Sequence, residues 1–451
     1  MLATVAPILS TFAVTPFVVR TLGVDEYGIV GIGITAYQLA LVILALGLPA
    51  AITRHAIVAG SGAAGASALV ALGAGAAAVL GIAAAVTSGW WGGWLLPGEH
   101  PGTLMSAPVI SAVGLAALML SQSFLRGVDR VRSFVVLGML AAILPPITGL
   151  ITINVLGPSA GGYLWSLAAM HLLVGVASVI FVVAIERPRV AFRDFVQSLW
   201  IGLPTVPHQM STSLLNAVLV ASAGTMVSVA AAGYLQLALL LGTAPMVLIG
   251  AFNNAWAPMV YRADAEERAR VLRESTALVA VLSLVLVACY GAAAPLLSIL
   301  LGGQGAAAIA APSLVAAIGA PLMVLYLSHI HLVFLRGRTW PLALTTPASA
   351  VVAIATAMIL GAATGSEDLR VFATAIPVFY LCQSISAGWL SRRSGYTPPD
   401  VRPSAPYLLA AGIVAAVLAF WPAPTWIAGG VLLVLALAIA VGYVQRWRHR
   451  I

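Results

Sequence analysis

Apolar runs of about twenty residues follow one another along nearly the whole chain, each long enough to carry a helix across ~30 Å of hydrocarbon at ~1.5 Å per residue. They read as spans 2–20, 27–51, 66–88, 104–125, 132–155, 161–185, 197–220, 231–256, 275–300, 309–335, 340–362, 370–390, 405–421 and 425–445, fourteen in all. Runs this long without strict alternation are helices rather than barrel strands, because inside lipid a helix satisfies its own backbone. The sequence therefore describes an all-α polytopic membrane protein. Of its 451 residues 61% are hydrophobic and 8% charged, which leaves too little polar surface for a water-soluble domain. The start lacks a basic n-region, and the run reaches Arg20 without a small-x-small processing site; it is read as helix one rather than a cleaved leader.

All 21 basic residues are arginines. With a cytoplasmic N-terminus, nineteen of the 21 fall on inner segments, including Arg54, Arg126, Arg187, Arg262, Arg336 and Arg392, and only Arg20 and Arg370 fall outside. The positive-inside rule then places both termini in the cytoplasm. The net charge of +8 is spread over seven cytoplasmic segments beside anionic lipid head groups, so it implies no nucleic-acid partner.

FLRG ends two of the spans, at 124–127 and 334–337. Around it a wider pattern recurs: Tyr27 and Tyr234, Arg54 and Arg262, Arg126 and Arg336 stand at offsets of 207, 208 and 210. The chain thus contains an internal duplication. Each copy holds six helices and starts on the same side of the membrane, so the copies are parallel repeats about an axis along the membrane normal. This gives an N-terminal lobe at 1–186, a cytoplasmic linker at 187–196, a second lobe at 197–393, and two further helices with a basic tail at 394–451. Two six-helix lobes about a central cavity are the architecture of an alternating-access transporter.

The segment Arg20-Thr-Leu-Gly-Val-Asp-Glu-Tyr-Gly28, followed by Leu46-Gly-Leu-Pro49 and Thr53-Arg54, resembles the opening of Wzx-type polysaccharide flippases of the multidrug/oligosaccharidyl-lipid/polysaccharide exporter superfamily. Gly202-Leu-Pro204, the Leu300-Leu-Gly-Gly303 exit of helix nine and the fourteen spans extend the resemblance. It implies a non-enzymatic flippase that carries an undecaprenyl-diphosphate-linked oligosaccharide to the outer leaflet of a bacterial cytoplasmic membrane. The implied partners are that lipid-linked glycan, membrane lipids, and the glycan polymerase and glycosyltransferases of the same pathway. No cofactor is implied.

A diphosphate crossing a low-dielectric interior needs fixed positive charge and hydrogen-bond donors facing a wet cleft. The candidates are Arg54 and Arg262, read as repeat-equivalent at the inner ends of helices two and eight, with Arg20 at the outer end of helix one. Each also has a plainer reading: topology anchors for the first two, and a surface pair with Asp25 or Glu26 for Arg20. Arg370 beside Glu367 and Asp368 reads as such a pair. Thr205, His208, Thr212 and Asn216 are spaced three, four and four apart, hence on one helical face. Gln236, Thr243, Asn253 and Asn254 follow in helix eight, and Thr4, Thr11 and Thr15 mark helix one. By the resemblance these helices line the cavity, although interhelical hydrogen bonding explains any single member equally well. His208 is also the group placed for a proton-linked step.

Pro145, Pro146, Pro204, Pro207, Pro245, Pro258 and Pro321 predict kinks. The Gly/Ala/Ser tract at 60–81 predicts close helix packing. Arg262 to Glu274 reads as a solvated cap with Glu266–Arg270 and Arg270–Glu274 pairs at i,i+4. Cys289 and Cys382 read as small buried hydrophobes, and two cysteines exclude a disulfide framework or a four-cysteine zinc site. His329 and His331, two apart, cannot chelate one metal locally.

Two alternatives share this hydropathy. A cation-coupled multidrug exporter would be expected to hold a carboxylate in its cleft, whereas all thirteen here fall in loops or at span ends. A glycan polymerase or ligase would need a carboxylate or histidine constellation on a sizeable outer loop. The longest outer segment, 89–103, holds Trp90, Trp91, Trp94, Glu99 and His100, and its tryptophans read first as an interfacial belt. No GxxxxGK[ST] segment supplies ATP drive.

The orientation has a direct check. In a background lacking Cys289 and Cys382, cysteines at Ser159 and Ser366 are expected to react with an impermeant maleimide from outside intact cells, and cysteines at Ser133 and Ser394 only after permeabilisation. Labelling of Ser133 or Ser394 positions from outside would invert the topology.

Overall fold

The computed structural model of the chain describes residues 2–58, 62–96, 102–189, 192–203, 206–264, 266–336, 340–364, 367–393, 395–420 and 425–448. Among these residues every regular element is helical, and eleven helical segments, single or in consecutive pairs, are long and apolar enough to cross a membrane. The chain is a multi-pass membrane protein. In the expected spans at 2–20, 197–220 and 405–421 the described residues are also helical, over 2–20, 197–202, 206–220 and 405–420. The first and third are short as apolar helices, and the second is diluted by its polar stripe.

The chain divides into two compact units, Met1–Gly233 and Tyr234–Ile451. The first contains α1 (Leu2–Leu22), α2 (Val24–Leu44), α3 (Leu48–Val58), α4 (Gly62–Val86), α5 (Ser88–Trp91), α6 (Ser106–Gly127), α7 (Val131–Val155), α8 (Ala160–Ile185), α9 (Phe192–Gly202), α10 (Val206–Met226) and the start of α11 (Val229–Gly242). Its core is the crossing of α6 and α8. A Cβ on Gly114 would collide with the His171 backbone, and one on Gly175 with Gly114 itself. Small residues thus bring two backbones together where lipid supplies no hydrophobic drive. Ser111 Oγ bonds His171 Nδ1 at 2.5 Å and Ser178 Oγ donates to Ser121 at 3.0 Å across the same seam. In α4, Gly73 admits the side chains of Leu48 and Leu120, and Gly81 admits Val113, as the small-residue tract predicts. α10 packs along α2, and the start of α11 meets it closely enough that a Cβ on Gly28 would strike the Val229 carbonyl.

Pro145 and Pro146 lie within an α7 assigned as one continuous helix. Pro145 has no N–H for the Ala141 carbonyl four residues back. The His171 ring, from α8, bonds that carbonyl instead. Thr148 Oγ1 donates to the carbonyls of Leu144 at 2.8 Å and Pro145 at 3.0 Å. A neighbouring side chain and a local hydroxyl thereby cover the carbonyls around the proline pair.

The second unit contains α12 (Ala244–Arg262), α13 (Arg268–Gly302), α14 (Ala306–Ala317), α15 (Gly319–Arg336), α16 (Leu342–Thr364), α17 (Arg370–Ala373), α18 (Ala375–Arg392), α19 (Ala405–Phe420) and α20 (Thr425–Arg448). α15 packs on α18, and the 35-residue α13 carries both α19 and α20. Gly429 of α20 sits 2.9 Å from the Gly291 carbonyl when given a Cβ, so α20 rides on the α13 backbone. Thr243 marks the join of α11 and α12, with Pro245 in the first turn of α12 and the Thr243 hydroxyl bonded to the Leu239 carbonyl at 2.7 Å.

Several sequence expectations change. Span 27–51 is two helices, because Leu46 and Gly47 take φ of 54° and 66°, a left-handed step that glycine permits and that Pro49 in the next first turn tolerates. α3 then runs on to Val58, so Arg54 lies inside a helix rather than at its inner end. The cap of α13 uses Arg270–Glu267 at 2.7 Å, spacing i,i+3, rather than the i,i+4 pairs. Cys289 is exposed and Cys382 half-buried, so neither is a buried hydrophobe. The FLRG copies end helices alike but pack differently: Phe124 is fully buried, whereas Phe334 is exposed. Gly337, Ser366, Ser394, Thr205, Glu99 and His100 lie outside the described residues.

The α6–α8 crossing yields a stability test. Gly114→Leu is expected to destabilise the purified protein by on the order of 1–3 kcal/mol or more through overpacking. Gly75→Leu, where a Cβ meets nothing within 4 Å, is expected to leave the melting temperature unchanged. Equal melting temperatures for the two variants would contradict the crossing.

Candidate functional site

The expected polar stripe of α10 follows from helical spacing, and the structure shows what each member does. His208 is half-buried and engaged by a neighbour. Thr212 is exposed, while Ser211, Leu215 and Leu219 form the packed side of the same helix. Asn216 is half-buried, yet its Oδ1 is inaccessible and accepts no hydrogen bond. A buried carbonyl left open costs about 1–3 kcal/mol, which packing alone would not select. His208, Thr212 and Asn216 share one face of a helix in the first unit. On α1, Thr15 is buried and its hydroxyl bonds Tyr27 of α2, so this threonine serves helix packing.

In the second unit Gln236 and Asn253 are half-buried. Asn253 Oδ1 meets His331 Nε2 of α15 at 2.9 Å. Trp256, fully buried one turn on, donates its Nε1–H to Ser275 Oγ of α13 at 2.8 Å and stands edge-on to His331 at 4.7 Å. Tyr261 approaches the same imidazole at 6.0 Å. Spacing within one helix could not reveal this cluster, since its members come from three helices; the only sequence signal was a histidine in the middle of an apolar run. The side chains of Arg54, Arg262 and Asn254 lie outside the described residues, although all three positions are helical.

Arg20 is exposed at the end of α1 and forms no ion pair among the described residues. Its expected partner Glu26 is used elsewhere: Oε2 accepts from the Ala160 N–H at the start of α8, at 2.6 Å. A carboxylate there complements the positive end of the helix. Arg370 does pair, with Asp368 Oδ2 at 2.6 Å. Burial raises the Asp368 carboxyl, but the hydrogen bonds and charge of Arg370 outweigh it and hold the group below the usual carboxylate range. Among the described residues the carboxylates stay in connections or within two turns of a helix end. No group of three or more histidine, cysteine, aspartate or glutamate side chains among them is placed to hold a metal ion.

In sequence, no protein-family model and no curated protein matches the chain. Its fold does match solved structures. Over 98% of this chain and 97% of the other, it superposes with TM-score 0.67 on the lipid II flippase MurJ in an inward closed conformation, at 11% identity. With an inward-facing multidrug resistance MATE family transporter of the MOP superfamily the TM-score is 0.64 at 16% identity, covering 94% and 96%. An outward-facing MATE family transporter of the same superfamily gives 0.55 at 15% identity, covering 87% and 95%. At such identities the likeness establishes a shared fold.

Proposed function

We propose that this chain is a Wzx-type flippase, moving an undecaprenyl-diphosphate-linked oligosaccharide from the inner to the outer leaflet of a bacterial cytoplasmic membrane by alternating access between two six-helix lobes. The observation that carries this reading is the pairing of the fold with its charge distribution. The fold is shared by a lipid-linked precursor flippase and by drug exporters. Within it, this chain has arginine at positions 54 and 262, near the ends of α3 and α12, and its described carboxylates lie in connections or near helix ends, none in the middle of a helix.

That distribution suits an anion. In a poorly hydrated cleft an arginine offers a planar fork that matches phosphate oxygens, and an always-ionised charge. A cationic drug would meet repulsion from the same groups. Threonine, asparagine and glutamine on α10, α11 and α12 add neutral donors and acceptors that suit sugar hydroxyls, among them Thr212, Asn216, Gln236 and Asn253. In this reading Arg20, exposed and without an ion pair among the described residues, receives the diphosphate at the outer end.

The driving force follows from the cargo. Moving an anion outward across a membrane that is negative inside is favoured by ~2.3 kcal/mol per charge per 100 mV. Arginines fixed in the helices do not travel with it. The electrical term therefore supports export without an intramembrane carboxylate.

Replacing Arg54 or Arg262 with glutamine is expected to lower flipping of the diphosphate-linked glycan roughly tenfold to a hundredfold with membrane insertion intact, the equivalent of about 1.5–3 kcal/mol for a charged hydrogen bond. Undiminished flipping in both single variants and in the double variant would reduce these residues to topology anchors.

A further inference from the structure

The second FLRG copy, at 334–337, is a motif that the transport path leaves unexplained. In the first unit Phe124 is fully buried, and α8, which packs on α6, ends on an acid, Glu186. By the FLRG register α15 corresponds to α6, and the matching crossing is that of α15 with α18. There Phe334 is 44% exposed, and α18 ends on two arginines, Arg392 and Arg393. One motif thus closes a packed core in the first unit and faces outward among arginines in the second.

The fold gathers these arginines. Arg336, at the end of α15, donates from Nη1 to the Arg393 carbonyl and so ties the two helix ends together. A cation there suits the open carbonyls of a helix C-terminus. The Arg393 guanidinium lies over the face of Trp389 at 3.9 Å, a contact that leaves the N–H groups on its rim free to donate. Arg392 stands close enough to His329 of α15 to act on its charge. All three arginines are exposed, and none forms an ion pair among the described residues. Asp400, the acid that follows them in the chain, accepts instead from the Arg402 N–H at 3.2 Å. Like charges collected at one crossing repel one another until an anion joins them.

A row of exposed apolar side chains leads up to the cluster. Leu381, Ile385 and Trp389 follow at four-residue spacing on α18, with 44, 65 and 50% of their surface exposed, and so share one face. Trp340, beyond the end of α15, is exposed as well. Tryptophans of this kind mark the level at which hydrocarbon gives way to head groups. An apolar face that ends in tryptophan and then in arginine has the order of a phospholipid, acyl chain first and phosphate next. The planar edge of a guanidinium matches phosphate oxygens in pairs. A water-soluble anion would use the arginines but not the apolar row.

We propose that the arginine-rich end of the α15–α18 crossing is a binding site for an anionic phospholipid of the surrounding bilayer. Arg336 and Arg393 hold the phosphate, Arg392 adds charge, and an acyl chain lies along Leu381, Ile385 and Trp389. Basic pockets between membrane helices take such head groups. A zwitterionic lipid offers the same phosphate together with a cationic amine that the arginines repel, so the site selects lipids of net negative charge. The bound lipid supplies the counter-charge and fastens α15 to α18. This site stands whether or not the chain flips a glycan.

The test reads the lipid retained by the full-length protein in detergent, by native mass spectrometry. From an equimolar mixture of phosphatidylglycerol and phosphatidylcholine with identical chains, the wild type is expected to retain phosphatidylglycerol with about a tenfold preference. Arg336→Gln combined with Arg393→Gln is expected to cut that preference below about twofold. Arg126→Gln combined with Arg130→Gln, which removes the same charge from the first unit, is expected to keep it. No preference in the wild type, or an equal loss in both double variants, overturns the site. Displacement of phosphatidylglycerol by an equal concentration of glycerol phosphate would make this a site for free anions, and displacement by undecaprenyl diphosphate would assign it to a transported lipid; either contradicts the proposal. If the glutamine variant does not fold, the wild type alone decides. Phosphatidylglycerol carrying a photoreactive diazirine is then expected to label residues 381–396 in preference to 119–132, and equal labelling of the two segments overturns the site.

Discussion

Every peptide group in this chain that meets hydrocarbon needs a hydrogen-bond partner inside the protein, and the places where the helices break that rule organise the rest. At Pro145 the Ala141 carbonyl loses its own donor and takes the ring of His171 from another helix. The same imidazole bonds Ser111 of α6, where Gly114 and Gly175 let α6 and α8 approach to backbone contact. At the join of α11 and α12 the Thr243 hydroxyl donates to the Leu239 carbonyl, two residues before Pro245 enters the first turn of α12. At Leu46 and Gly47 the chain takes two left-handed steps and starts a new helix. Glycine, proline and hydroxyl residues thus mark the breaks, and each break has helix on either side of it.

The same economy of polar groups governs the charges. Glu26, an acid near the outer face, caps α8, and Asp368 pairs with Arg370. Arg268 donates to the Ala263 carbonyl and Arg336 to that of Arg393. Among the described residues Arg20 forms no ion pair, and several buried polar atoms have no hydrogen-bond partner, among them Asn216 Oδ1, Arg268 Nε, His331 Nδ1 and Gln383 Oε1. An anionic head group moving outward would follow a potential that is negative inside.

The helical class, the positions of the spans and the small-residue packing were legible because they depend on local composition and on a solvent that the composition itself declares. The break in span 27–51 was not. Leu46-Gly-Leu-Pro49 carries the right residues, but the hydropathy runs through them unbroken, and only the backbone angles show the reversal. The α10 stripe was readable from spacing, since His208, Thr212 and Asn216 share one helix. The His331 cluster was hidden for the opposite reason: Asn253, Trp256, Ser275 and His331 sit on three helices, and nothing in a single sequence reports their meeting. Glu26 was misread because charge proximity pointed to Arg20 six residues away, whereas the helix start at Ala160 lies 134 residues along the chain.

The central claim is that an anionic lipid-linked glycan moves outward down the electrical gradient. It is tested most directly by reconstituting the full chain in vesicles with a potassium-set potential and following undecaprenyl-diphosphate-glycan translocation at equal pH on both sides. The account predicts that export accelerates as the side equivalent to the cytoplasm is made more negative and slows when the potential is collapsed. Export that ignores the potential and follows a sodium gradient alone would contradict it.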